Sequence, residues 1–247
     1  MEEPPLNSFF VLSRAAAATA QTRFPPGNLG AGDPFAAQRR IAWSGADGMS
    51  VGRVAWGGSL TQAGFPHTEL IIVEQGALFL DDSSTSLRIA AGEAAVIARG
   101  SALRVHAGSE ASWIFCAVSA VAADGDKPLA KIERVDLSAA LLPAPPPAAD
   151  ILLSAEPRCR SFPAYADAPG RTRIGIWDST PYARKQVPHR VNELMYILEG
   201  SVTLTDGSGH AGVFGKGDCV FVPHRTPCAW HSAVAVRKLY CVQDFES

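Results

Sequence analysis

The residues best suited to chemistry lie in one stretch of the sequence, between positions 187 and 230. His189 is followed four positions later by Glu193 and, seven positions further on, by Gly200. Imidazole and carboxylate groups are ligands for divalent transition metals, and a carboxylate can also act as a general base. The stretch therefore predicts a site for metal binding, acid–base chemistry or recognition of a polar ligand, with Glu193 as the candidate catalytic residue.

The spacing of these residues resembles the two signature motifs of the cupin superfamily, which are small jelly-roll β-barrels. His189, Glu193 and Gly200 match the first motif, and Gly217 and Pro223 match the second. The resemblance implies an all-β fold in which motif side chains converge inside the barrel on a divalent metal such as Mn, Fe, Ni or Zn.

The match to the cupin ligand set is partial. Val187 stands where the first motif usually has another histidine, and Cys228 occupies the usual histidine position of the second motif. The resemblance thus implies His189, Glu193 and Cys228 as metal ligands. The alternative is that His189 and Glu193 hydrogen-bond each other in a polar cavity, with Cys228 as a small core residue.

Longer blocks narrow the resemblance to one subgroup. The runs GIWDSTP, ELMYILEGSVTLTD and FGKGDCVFVP, within residues 171–247, resemble the ethanolamine-utilisation-type cupins. Metal ligands are often incomplete in that group. The resemblance does not carry a function with it, because one fold can support many activities.

Four further side chains are candidates for contacting a ligand. Tyr182 and Arg184 precede His189 and would line the mouth of the barrel, while Trp177 and Trp230 would stack on a ligand ring. The alternatives are a solvated rim for the first pair and core packing for the tryptophans.

The elements that position these residues are short β-strands. Valine, isoleucine and aromatic runs alternate with turn residues about every ten positions over 41–121 and again over 164–247. This rhythm predicts two tandem β-barrels. The halves also align as a repeat, with Trp56 on Trp177 and the block Glu69–Gly76 on Glu193–Gly200.

The first barrel lacks the candidate ligands. Phe65 and Leu103 occupy the positions of His189 and Cys228, so a degenerate, side-chain-filled barrel is expected over 41–121. His67 and Glu69 would lie on one face of a strand and form a local pair.

The remaining segments connect or flank the barrels. Residues 1–40 are predicted to be an arm that packs on a barrel or a partner subunit, with one or two helical turns at 14–21. Residues 122–163, which contain three consecutive prolines, are predicted to be a linker.

Composition excludes several classes of function. The net charge is -2 with no cluster of Lys or Arg, which argues against a nucleic-acid partner. The apolar runs are too short for a membrane span, and the five cysteines lack metal-binding spacing, so a cytoplasmic protein with free thiols is expected. Nucleotide-binding and serine-hydrolase motifs are absent from the sequence.

Three functions remain open from sequence alone. The C-terminal barrel would bind a small polar metabolite, with or without a metal and catalysis; the alternatives are a non-catalytic ligand sensor and a structural dimerisation module. The strand 193–199 is apolar on both faces, which predicts packing against the other barrel or another subunit and a homodimer.

Overall fold

The structure is a computed structural model that describes residues 8–15, 23–119, 131–167 and 171–245. It is built almost entirely of β-strands, with a short 3-10 helix at Ala149–Ile151. Most of the predicted helical segment 14–21 lies outside the described residues. Among the described residues, no helix is long and apolar enough to cross a membrane.

The strands of the first barrel follow a short arm strand, β1 (Phe10–Ser13). They are β2 (Arg39–Ser44), β3 (Met49–Ala55), β4 (Gly58–Gln62), β5 (Thr68–Gln75), β6 (Ala77–Asp81), β7 (Ser86–Ala90), β8 (Ala94–Ile97), β9 (Leu103–Ala107), β10 (Ser112–Val118) and β11 (Ile132–Arg134). The strands of the second barrel are β12 (Leu142–Ala144), β13 (Cys159–Asp167), β14 (Thr172–Ser179), β15 (Tyr182–Pro188), β16 (Asn192–Glu199), β17 (Ser201–Asp206), β18 (Ala211–Gly215), β19 (Cys219–Val222), β20 (Pro227–Ser232) and β21 (Val236–Gln243).

Each barrel consists of two sheets with the same internal order. The first has a six-stranded sheet, β11-β8-β5-β10-β3-β2, and a four-stranded sheet, β4-β9-β6-β7. The second has a seven-stranded sheet, β1-β19-β16-β21-β14-β13-β12, and a four-stranded sheet, β15-β20-β17-β18. The predicted all-β class with two tandem jelly-roll barrels is confirmed.

Strand register reproduces the repeat at the level of single residues. Glu69 of β5 lies opposite Ala117 of β10, and Glu193 of β16 lies opposite Val242 of β21, at equivalent places in the two sheets. Gly76 and Gly200 follow these strands with φ of 71° and 74°. This left-handed conformation strongly favours glycine, so the shared glycine is explained by the turn.

The two segments that the sequence predicts as an arm and a linker also contribute short edge strands. Strand β1 of the arm pairs with β19, and within 122–163 strand β11 pairs with β8 while β12 pairs with β13. An unpaired sheet edge leaves N–H and C=O groups without partners, so these short pieces complete the large sheets. The arm is also held by Asp218, which bonds the side chain of Arg14 and the backbone N–H of Ala15.

The chain divides into two compact units that are each discontinuous in sequence. The N-terminal unit comprises 23–137 and 165–172, and the C-terminal unit comprises 1–22, 138–164 and 173–247, as far as their residues are described. Each unit has its own hydrophobic core of inward-facing strand residues.

Candidate functional site

A polar cavity of about 130 Å³ lies in the C-terminal barrel. All seven residues that the sequence singles out line it, and three more join them. The lining consists of Trp177, Tyr182, Arg184, His189, Glu193, Met195, Leu204, Cys228, Trp230 and Lys238. We refer to this cavity as the C-terminal cup.

Strand alternation explains why these side chains share the cup. Glu193 and Met195 project from one face of β16, and Cys228 and Trp230 project from one face of β20. His189 follows the end of β15, and its backbone N–H donates to the carbonyl of Thr226. The loop therefore holds the imidazole at the start of β16.

Glu193 is the electrostatic centre of the cup. Its Oε2 lies 2.9 Å from Nε2 of His189, and its Oε1 accepts a hydrogen bond of 2.8 Å from Nζ of Lys238. Burial alone would raise the pKa of Glu193, but the charge of Lys238 and the hydrogen bond with His189 outweigh it and hold the pKa well below its usual range. The carboxylate is therefore ionised at neutral pH with both oxygens engaged.

Lys238 sits among aromatic and sulfur groups as well as beside Glu193. Its Nζ is 4.9 Å from the ring centre of Trp177, 5.2 Å from that of Trp230 and 3.2 Å from Sδ of Met195. An ammonium at these distances from an indole is stabilised by the negative face of the ring. The residue itself is 7% exposed, so its charge belongs to the cup interior.

The two tryptophans of the cup and Tyr182 pack against one another and form one wall of the cavity. Trp177 meets Trp230 edge-on, with ring centres 6.0 Å apart, and Tyr182 stacks on Trp230 at 5.5 Å. The indole N–H of Trp230 donates to Oγ of Ser232. Burial raises the pKa of Tyr182, so its hydroxyl stays protonated in the physiological range.

Cys228 behaves as a protonated thiol. Its Sγ–H donates to the carbonyl of Ala229 at 3.5 Å, and burial raises its pKa to about 11. A thiol binds a metal as the thiolate, which is the disfavoured form here.

The donors of the cup do not fit a divalent metal centre. Glu193 is occupied by the Lys238 ammonium, and Cys228 is protonated. Within the described parts of the chain, no group of three or more His, Cys, Asp or Glu side chains is arranged so that it could hold a metal ion. The metal set His189, Glu193 and Cys228 remains a prediction from family resemblance that this arrangement does not support.

The equivalent carboxylate of the N-terminal barrel is also paired. Glu69 accepts a 2.7 Å hydrogen bond from Nη2 of Arg39 and lies 2.7 Å from Nε2 of His67, and Arg39 also bonds Asp33 at 2.8 Å. The guanidinium lies over the ring of Phe115 at 4.4 Å. Arg39, His67 and Glu69 are all fully buried, and the structure forms the expected His67–Glu69 pair.

Comparison with known proteins agrees with this architecture. A family model described as the EutQ-like cupin domain matches residues 167–240. A protein of unknown function from the DUF861 family, from Pseudomonas syringae pv. tomato str. DC3000, is 37% identical and superposes with a TM-score of 0.90, over 96% of this chain and 100% of that one. The chain belongs to the DUF861 family.

More distant likenesses show the fold alone. A cupin 2 conserved barrel domain protein from Leptotrichia buccalis superposes with a TM-score of 0.58 at 10% identity, over 83% of this chain and 88% of that one. The protein Ylba from E. coli, also of DUF861, gives 0.51 at 14% identity, over 95% and 100%. The curated proteins include no match to this sequence.

Lys238 is the charged residue among the three lining residues of this DUF861 cup that the motif spacing does not predict. A signal for it exists in the repeat. Lys238 lies opposite Ile197 as Trp113 lies opposite Val73, and Trp113 is fully buried. The aligned position therefore points inward, and a lysine there must place its charge inside the barrel.

Proposed function

We propose that this DUF861 cupin binds a small organic anion, such as a short carboxylate, in the C-terminal cup. The supporting observation is the charge balance of the lining. Lys238 and Arg184 bring two positive charges against the single carboxylate of Glu193. In the described part of the chain, no carboxylate lies within ion-pair distance of Arg184. A guanidinium of this kind is suited to hold a ligand carboxylate through two parallel hydrogen bonds.

The size of the cup limits the ligand. Its 130 Å³ is about four water volumes at ~30 Å³ each, well below the ~300–1,000 Å³ of sites for drug-sized molecules. The wall formed by Trp177, Tyr182 and Trp230 suits a short apolar body. We therefore expect a ligand with one anionic group and a few carbon atoms.

His189 is the group best placed to move a proton on such a ligand. Glu193 has a lowered pKa and both oxygens occupied, so it is a weak base and instead orients the imidazole. This shifts the catalytic role predicted for Glu193 to its neighbour. A binding protein without turnover remains the alternative, since the same cup serves as a sensor pocket when His189 only donates a hydrogen bond.

Ligand binding is favoured over a purely structural role by the contrast between the barrels. Glu69 and its partners Arg39 and His67 are fully buried, whereas Glu193 lines a cavity of about 130 Å³. A structural module needs no such space.

Thermal shift and calorimetry test the proposal. Acetate, glyoxylate, pyruvate and lactate should raise the melting temperature because they bind the folded state, while the matching neutral amides should not. Arg184→Ala should weaken carboxylate binding about 10–100-fold, the worth of a lost charged hydrogen bond.

The matched control is Arg173→Ala. Arg173 is exposed and pairs with Asp244, and it does not line the cup, so its loss should leave carboxylate affinity unchanged. Equal stabilisation by amides and carboxylates, or an Arg184→Ala protein with wild-type affinity, would contradict anion recognition.

A further inference from the structure

Both barrels neutralise a buried glutamate with a basic side chain and place a histidine beside it. Each has a buried glutamate at the same register position, with a histidine nitrogen against its Oε2 and a basic side chain bonded to the carboxylate. The histidine distances are 2.7 Å for Glu69 and 2.9 Å for Glu193. The basic partners are Arg39 and Lys238, at 2.7 and 2.8 Å.

The two cations come from unrelated places in the repeat. Arg39 is the first residue of β2, ahead of the blocks that align, whereas Lys238 lies on β21 where the first barrel has Trp113. The two barrels therefore share the position of the buried carboxylate, but the cation that pairs with it comes from a different strand in each. A buried carboxylate is costly without a compensating charge, so each barrel supplies one.

We infer that Lys238 is the resident cation of the C-terminal cup, filling the place beside Glu193 that a bound cation would take, so that the cup acts without a divalent metal. A metal would need the oxygens of Glu193, and Lys238 already occupies one of them at 2.8 Å. It would also lie next to a fixed positive charge. The Lys238 ammonium is part of the chain, and it supplies the positive charge that an anionic ligand would contact in the cup.

Truncation of Lys238 turns this inference into a binding experiment. Lys238→Ala removes Cγ, Cδ, Cε and Nζ, the atoms of an n-propylammonium ion. The slot left behind is walled by Trp177, Trp230 and Met195, with Glu193 at its end. Free n-propylammonium should therefore bind the variant and restore the missing charge.

The experiment compares melting temperatures with n-propylammonium chloride, with 1-propanol as a neutral molecule of the same shape, and with sodium chloride at matched ionic strength. Lys238→Ala should melt below the wild type. Propylammonium at about five times its Kd should raise that temperature by about 2–4 °C, and 1-propanol should not. Wild type and Lys216→Ala, which alters an exposed turn lysine, should not respond.

A second pair of variants covers the case in which Lys238→Ala does not fold. Lys238→Arg keeps the charge and should melt near the wild type, while Lys238→Met keeps only the bulk and should melt well below it. Rescue by propanol equal to that by propylammonium, or equal stability of the Arg and Met variants, would show that Lys238 only packs, and the inference fails.

A metal titration tests the opposite outcome, in which the C-terminal cup binds a divalent metal. Mn²⁺, Ni²⁺ and Zn²⁺ should leave the wild-type melting temperature unchanged. A rise that is abolished by His189→Ala and retained in His67→Ala would place a metal in the C-terminal cup beside Lys238 and overturn the inference. All of these measurements are made without a carboxylate, so their outcome is independent of the ligand binding proposed above.

Discussion

Replacing Arg39 by methionine should be among the most damaging single changes in the N-terminal barrel. The guanidinium is completely buried and joins two buried carboxylates, Asp33 and Glu69. Methionine keeps most of the side-chain bulk against Phe35 and Phe115 but removes every charge contact. Two negative charges then remain in the core without a cation beside them. Glu69 keeps its contact with His67, and Asp33 keeps the hydrogen bonds that it accepts from the backbone N–H groups of Leu29 and Phe35.

Two arguments give a similar magnitude, the second of which also includes the contribution of His67. Breaking a buried ion pair by removing one partner costs about 3–5 kcal/mol, because the other charge stays buried without compensation. Burial alone would raise the pKa of Glu69, but the charge and hydrogen bonds of Arg39, together with His67, lower it to about 2 from an ordinary 4.5. That difference stabilises the folded state at neutral pH by about 3 kcal/mol.

The pH dependence should change sign in the variant. In the wild type the stabilisation by Glu69 is complete above pH 4.5 and is lost as the pH falls towards 2. Without Arg39, burial dominates and raises the pKa of Glu69 above its unfolded value. Its effect then reverses, so that acidification to about pH 4.5 stabilises the Arg39→Met barrel and a rise in pH destabilises it.

Hydrogen exchange measured by mass spectrometry resolves the effect by barrel. Amides of β8 should exchange about 10²–10³ times faster in Arg39→Met at pH 7, and amides of β19 in the C-terminal unit should change far less. Arg40→Met is the matched control, since Arg40 is exposed. A loss of protection below tenfold, or stability of Arg39→Met that still falls on acidification from pH 6 to 4.5, would refute the reasoning.

Two further predictions concern backbone and assembly. Gly200→Ala should destabilise the C-terminal unit by more than about 2 kcal/mol, because φ is +74° and the new Cβ would lie 1.9 Å from the carbonyl oxygen of Ala235. Gly209→Ala is the control, since φ is +85° but nothing lies within 4 Å of the new Cβ, and it should cost only about 1–2 kcal/mol. Urea denaturation measures both losses of stability, and equal losses would contradict the steric argument. The homodimer predicted from the two apolar faces of β16 should give twice the chain mass in light scattering at micromolar concentration, and a monomeric mass would contradict it.

The sequence predicts well those features of the fold and the site that depend on the spacing of residues close together in the chain. The glutamate, the turn glycine seven positions later and the second motif depend on short strands joined by tight turns, and such features are legible within a few tens of residues. For the same reason the seven candidate residues fall in one cup. Their types and spacing place them on the facing sides of neighbouring strands.

The buried cations were not predictable in the same way. Arg39 and Arg40 are consecutive, and one is fully buried while the other is exposed. Which of the two points inward depends on the face that β2 presents, and a shift of one residue would exchange them. Lys238 was missed for another reason. The repeat aligns it with Trp113, but a basic residue in a strand is ordinarily assigned to the solvent side.

The edge strands were missed because their pairing is not local. Strands β1, β11 and β12 have only three or four residues each and owe their conformation to partners far along the chain. The proline-rich composition of 144–148 is typical of a linker, and it does not reveal that residues 142–144 pair with β13.

The discontinuity of the two units restricts how this protein can be synthesised, cut and recombined. Strand β1 leaves the ribosome long before β19, so the C-terminal sheet gains that edge only after almost the whole chain is available. Neither barrel corresponds to one uninterrupted stretch of the gene. Moving the C-terminal barrel into another protein would require the arm to be supplied as a separate peptide, or rejoined after residue 245 by circular permutation.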